Sequence, residues 1–178
     1  TGASDFSRIG IYDANEGFWI GYKGTGFGIA SRTATVDTFV ARASWNGDLL
    51  TGAAGSKFTR AGVVEAIDLT KQNLFRIQYG WLGSAPIVFE VHSPDATWVI
   101  FHTIRQPNLS ATPSILTPNL PVTAEVGKVA SDATNVTLKT SCWDAGIVSN
   151  ITSQQNVLID NGNSSTANQT VIVKDTIA

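Results

Sequence analysis

No stretch of this chain sustains a helical hydrophobic period, and that constrains the fold more than any other feature. The best window, Thr59 to Gln72, spaces Val63, Val64, Ile67 and Leu69 irregularly and is interrupted by Gly62. It predicts one short helical turn at most. Short runs rich in Val, Ile, Thr, Phe, Tyr and Trp fill the chain instead, divided by Gly, Asn, Asp, Ser and Pro. They predict strands at Arg8–Tyr12, Phe18–Lys23, Gly26–Ser31, Val36–Ala43, Leu74–Tyr79, Pro86–His92, Thr97–Arg105 and Val122–Val126. Four more are expected at Asn135–Ser141, Trp143–Val148, Asn156–Asp160 and Thr170–Lys174. Many short strands with turn signals between them predict an all-β chain, a β-sandwich of jelly-roll type. The sandwich is expected over residues 1–149. Residues 150–178 would add C-terminal strands or a tail packing on the same domain or on a neighbouring chain.

One hairpin can be worked through from its turn. Ser93-Pro94-Asp95-Ala96 has turn chemistry, because proline fixes φ and aspartate bonds its own backbone. A four-residue loop would pair His92 with Thr97. Alternation then sets Ile87, Phe89 and Val91 on one face with Trp98, Ile100 and His102, and that face should point into the core. Val88, Glu90 and His92 share the other face with Thr97, Val99 and Phe101. Downstream, Pro107, Pro113, Pro118 and Pro121 punctuate a Ser/Thr-rich stretch. Proline cannot donate to a sheet, so Gln106 to Pro121 reads as a long crossing loop.

Constellations that carry chemistry mostly fail. The two histidines, His92 and His102, project from opposite hairpin faces about 16 Å apart along the ribbon, too far for shared metal ligation. His102 reads as a core residue and His92 as a surface one. Gly24-Thr25-Gly26-Phe27-Gly28 lacks the Lys-Ser/Thr of a phosphate loop and reads as strand glycines. The acids sit mostly in turns, where carboxylates bond backbone, and Glu90 alone lies mid-strand. Asp13-Ala14-Asn15-Glu16-Gly17 departs from the spacing of an EF-hand loop and reads as a hairpin turn. A single cysteine, Cys142, excludes an internal disulfide framework and a cysteine-based zinc cluster. No catalytic residue, cofactor or metal is expected.

Composition narrows the partners. Net charge is −2, so no bulk positive potential draws a phosphate backbone and nucleic acid is not an expected partner. The longest apolar runs, four or five residues, are far too short for a helical membrane span. Charged residues make up 15 %, against roughly 25 % in an average domain, and a weakly charged surface is easily buried against another chain. Of the five tryptophans, Trp81 and Trp98 read as core. Trp19 alternates out of phase with Phe18, Ile20 and Tyr22, while Trp45 and Trp143 sit beside turns. Trp19, Trp45 and Trp143 are the candidate surface-recognition or interface residues.

An ordered set of motifs runs through the middle of the chain: Ser44-Trp45-Asn46-Gly47-Asp48, Ile77-Gln78-Tyr79-Gly80-Trp81-Leu82-Gly83, Ile87-Val88-Phe89-Glu90-Val91 and Phe101-His102-Thr103-Ile104-Arg105. Thr112-Pro113-Ser114 and Pro118-Asn119-Leu120-Pro121-Val122 continue it. From about Val36 to Val148 the chain resembles virion-associated proteins of tailed bacteriophages and other large DNA viruses. The resemblance implies a tail-fibre, spike, tail-tip or capsid-surface component of the extracellular particle, commonly trimeric, with no catalytic residues. Copies of itself in a homotrimer, other virion proteins and a host-surface glycan are the implied partners. A carbohydrate-binding module acting through exposed tryptophans is the alternative, and a polysaccharide-degrading enzyme a more distant one.

Overall fold

The computed structural model describes residues 5–80, 82–117, 119–128, 136–140 and 142–146. The chain divides into two units, Thr1–Thr140 and Ser141–Ala178. Within the first, the described residues form ten antiparallel strands and a single 3-10 turn at Arg42–Ser44. The strands are β1 (Phe6–Tyr12), β2 (Gly17–Lys23), β3 (Gly26–Thr33), β4 (Val36–Ala41), β5 (Thr59–Arg60), β6 (Val63–Val64), β7 (Phe75–Gln78), β8 (Ile87–His92), β9 (Trp98–Ile104) and β10 (Val122–Gly127). The first eight expected strands are all present, with boundaries shifted by a residue or two. In the window expected to hold at most a helical turn, β5 and β6 make a small hairpin. Ala61 and Gly62 both take positive φ there, which suits a tight hairpin turn and ends any helix.

The five-stranded sheet has the order β10-β1-β2-β3-β4 and the three-stranded sheet the order β7-β8-β9. Each is built from consecutive hairpins, with one long return bringing β10 beside β1. Jelly-roll connectivity, two Greek keys wound between sheets, does not describe this order. The two sheets pack face to face as a sandwich. Phe18, Ile20 and Ile29 from one meet Ile87, Phe89, Val91, Val99 and Phe101 from the other, and Trp45, Leu50, Phe58 and Ile67 fill the same core from the segment between β4 and β7. The Pro-rich segment is a crossing loop, as expected, and drops Ile115 and Leu120 into that core.

The β8–β9 hairpin corrects the sequence reading in two compensating steps. Its loop has five residues, closed by Ser93 and Thr97, so His92 pairs with Trp98. This moves Trp98 and Ile100 to the outer face, and Ile100 is 48 % exposed. Val99 and Phe101 turn inward instead. A bulge between Phe89 and Glu90 then returns the ladder to phase, pairing Phe89 with His102. His102 therefore lies on the core side, as expected, and Trp98 does not.

Residues 136–140 and 142–146 carry no strand, against the expected Asn135–Ser141 and Trp143–Val148. The expected strands Asn156–Asp160 and Thr170–Lys174, the segment 150–178, and Trp81 lie outside the described residues.

Candidate functional site

The outer face of the five-stranded sheet carries the densest polar cluster. Register puts Trp19 opposite Gly10, Tyr12 opposite Gly17 and Arg8 opposite Gly21, so each large side chain can lie flat over a residue without a side chain. A Cβ at Gly17, where φ is +129°, would sit 2.4 Å from the Cα of Tyr12. Over this floor Arg8 donates Nε and one terminal nitrogen to Glu125 and the other to Asp37, while Arg32 grips Asp37 with two nitrogens. Trp19 donates Nε1 to the same Asp37, and Tyr12 donates its hydroxyl to Glu125. Trp19 stacks on Phe39, and the Arg8 guanidinium lies over the ring of Phe6 at 4.3 Å.

Two arginines thus meet two carboxylates, and the cluster is close to neutral. Burial raises the Tyr12 phenol to about 12, so it stays a hydroxyl donor. Burial also pushes Asp37 upward, but the bonds from Arg32 and Trp19 outweigh it and hold the carboxyl below its usual range. Trp19 is on the outer face, as its phase predicts, yet only 1 % exposed, because its own neighbours roof it over. It offers no ring face to a partner.

The outer face of the three-stranded sheet is more open. Arg76 pairs with Glu90, which also accepts from Gln78, so the mid-strand acid has partners on the adjacent strand β7. The Arg76 guanidinium covers Trp98 at 4.0 Å, and His92 meets the same indole edge-on. Beside them runs an open groove of about 640 Å³, lined by Trp98, Ile100, Asp48, Leu49, Ala54 and Lys57 among others. Asp48 is the one carboxylate among its lining residues. It accepts from the Leu50 and Lys57 amides and from Ser56 Oγ.

The Trp45 motif is a strap along the edge of β9. Trp45 itself is buried against Phe101, with ring centroids 4.3 Å apart, and so is not a recognition surface. Asn46 uses its side-chain amide as a strand would use its backbone. It donates Nδ2 to the Thr103 carbonyl and accepts from the Thr103 amide. Gly47 and Asp48 then donate to the carbonyls of Phe101 and Ile100. Gly47 is required by contact, since a Cβ there would lie 2.6 Å from the Ile100 oxygen. Of the three candidate tryptophans only Trp143 is exposed, at 55 %.

Other acids also tie loops down. Buried Glu16 accepts from the amides of Leu116 and Thr117, fixing the crossing loop to the β1–β2 turn. Asp95 accepts from Thr59 Oγ1 and from the Ala61 and Gly62 amides, docking the β5–β6 hairpin on the β8–β9 loop. The bond from Thr59 and those two amides hold Asp95 below the usual carboxylate range. Asp13 bonds the amides of Asn15 and Glu16, as a hairpin turn requires. With Glu16 committed elsewhere, that turn does not gather its acids around a cation.

Sequence reasoning missed these long-range tethers because each joins positions 33 to 101 residues apart. The proline in Ser93-Pro94-Asp95 and the Asn-Gly in the strap signalled turns, not what the turns hold. Among the described residues no group of three or more His, Cys, Asp or Glu could hold a metal ion, and no helix is long and apolar enough to cross a membrane. The chain matches no protein-family model, no curated protein and no solved structure.

Proposed function

We propose that this chain is a structural β-sandwich module of a virus particle, a tail-fibre, spike, tail-tip or capsid-surface component that works by packing. Its partners in this reading are copies of itself, in a homotrimer, and other virion proteins. The observation that carries it is how the acids are spent. Glu16, Asp48 and Asp95 hold loops, while Asp37, Glu90 and Glu125 are held by arginines. A group fixed by two or three bonds in a folded framework is poorly placed to exchange a proton with a substrate.

Two further features favour the reading. The motifs that resemble virion proteins fall on framework positions, the β9 strap, strands β8 and β9, and the crossing loop. Leu109 and Leu116 on that loop, with Leu82 nearby in sequence to its Gly83 contact, stand mostly exposed. Together with the low charge, they suit a surface that other chains cover.

Light scattering on the purified chain tests the proposal, with a stable trimer expected at micromolar concentration. A monomer at every concentration that binds a glycan array would overturn it in favour of a carbohydrate-binding module, for which exposed Trp143 and the Trp98 groove would be the contacts. Turnover of a polysaccharide, abolished by Glu90→Gln, would overturn it in favour of an enzyme.

A further inference from the structure

We propose that His102 and the Asn46–Asp48 strap form an acid-operated latch on the outer edge of β9. In the order β7-β8-β9 that edge has no ladder partner among the described residues, and the strap supplies one. Five bonds make the row. Two run between the Asn46 side chain and Thr103, and two from the Gly47 and Asp48 amides to Phe101 and Ile100. The fifth runs from the Asn46 amide to His102 Nδ1 at 3.3 Å. Four of these use groups that do not titrate near neutrality. The fifth does.

An amide N–H pointing at Nδ1 needs a lone pair there, so the latched imidazole is neutral and carries its proton on Nε2. Protonation sets a second N–H against the first, and the donor that fixed the strap becomes a repulsion. Burial works in the same direction. His102 lies against Phe89 on the core face, only 7 % exposed, and that burial lowers its proton affinity.

The surrounding charges give an imidazolium no counter-ion. From the strap, Asp48 is committed to Leu50, Ser56 and Lys57, and the Arg42 guanidinium is bound to the carbonyls of Leu49 and Leu50. From β8 and β7, Glu90, His92 and Arg76 lie on the opposite face of the sheet. Arg105, which follows β9, is exposed and carries the wrong sign.

The direction follows from linkage. With the folded value below the ordinary 6.5, the unfolded or unlatched chain takes the proton first. The latch is therefore at full strength above about pH 6.5 and weakens as pH falls from there towards the folded value. Opening frees the carbonyls of Ile100 and Phe101 along an exposed strand edge, the arrangement that accepts another strand.

Amide hydrogen exchange between pH 7.5 and 5, corrected for the intrinsic rate at each pH, tests the latch and is independent of any assembly. Protection at Gly47 and Asp48 should fall by up to about tenfold per pH unit below 6.5, while Ile20 and Ile29 in the five-stranded sheet hold theirs. His102→Gln keeps an acceptor but cannot titrate, so its strap protection should not change over the range. His92→Gln should behave as the parent does. If His102→Gln fails to fold, NMR titration of the two imidazoles in the parent decides. The midpoint of strap opening must then coincide with the His102 titration. Flat protection in the parent, a pH-dependent loss in folded His102→Gln, or an opening that follows His92 would overturn the proposal.

Discussion

The five-stranded sheet roofs its outer face with its own side chains, whereas the three-stranded sheet is finished by segments from elsewhere in the chain. On the first, glycines at Gly10, Gly17 and Gly21 make room for Trp19, Tyr12 and Arg8, and two carboxylates lock the arginines in place. Every partner lies within the same sheet, from the neighbouring strand to three strands away. On the second, the edge is covered by Asn46 to Asp48, and the β8–β9 loop grips the β5–β6 hairpin through Asp95. A self-roofed sheet loses little when loops move. One completed by straps and tethers is the part that can open, since local opening follows from few and replaceable contacts.

The largest effect should come from the core that both sheets share. Phe101→Ala removes a fully buried ring that touches Trp45, Phe75 and Phe89. It should cost about 3–5 kcal/mol in urea unfolding, and exchange should show both sheets weakened together. A loss confined to the strap would mean that the two sheets do not share one core.

Next, Gly17→Ala puts a Cβ against the Tyr12 backbone at a φ that alanine resists. It should cost about 3 kcal/mol and disturb the Arg8–Tyr12–Trp19 roof first. If near-ultraviolet circular dichroism and stability were unchanged, the glycine floor would not be what positions those rings.

Asp37→Asn sharpens the comparison through pH. The folded carboxyl lies below its usual value, so its stabilisation is present above about pH 4 and is lost as pH falls through the folded value. Unfolding midpoints of the parent should drop below pH 4 more steeply than those of Asp37→Asn. At neutral pH the variant should be weaker by about 1–3 kcal/mol. The β9 strap, in contrast, begins to weaken below about pH 6.5, where Asp37 is still ionised, so on acidification the second sheet should loosen its outer contacts first.

The smallest effect belongs to Arg60→Ala. Its pair with Glu65 sits in solvent on the β5–β6 hairpin, where ion pairs contribute little and salt screens them. No change in the unfolding midpoint is expected, and a clear loss would mean that this hairpin is held by more than Asp95.

Much of the first sheet was legible in the sequence because its information is local. Alternation placed Trp19 out of phase with Phe18 and Ile20, and that phase is real. What alternation could not convey is that Arg8 and Phe39, far apart in the chain, would cover the indole. The second sheet hid its register. A fifth loop residue and a one-residue bulge cancel at His102, so that residue was placed correctly while Trp98 and Ile100 were not. Neither step has a pattern that a period of two can register. The Asn-Gly of the strap announced a turn, but the use of an asparagine amide as a substitute strand depends on Thr103, which is 57 residues away. Such pairings emerge only when the chain has folded.

Equilibrium unfolding of Glu90→Gln tests most directly whether the acids are framework. Glu90 lies in the middle of β8, 5 % exposed and bound by Arg76 and Gln78. As a tether, its neutralisation should lower stability by about 1–3 kcal/mol and loosen β7. A variant more stable than the parent would contradict the account, because that gain is the mark of a carboxylate held in place for function at the expense of the fold.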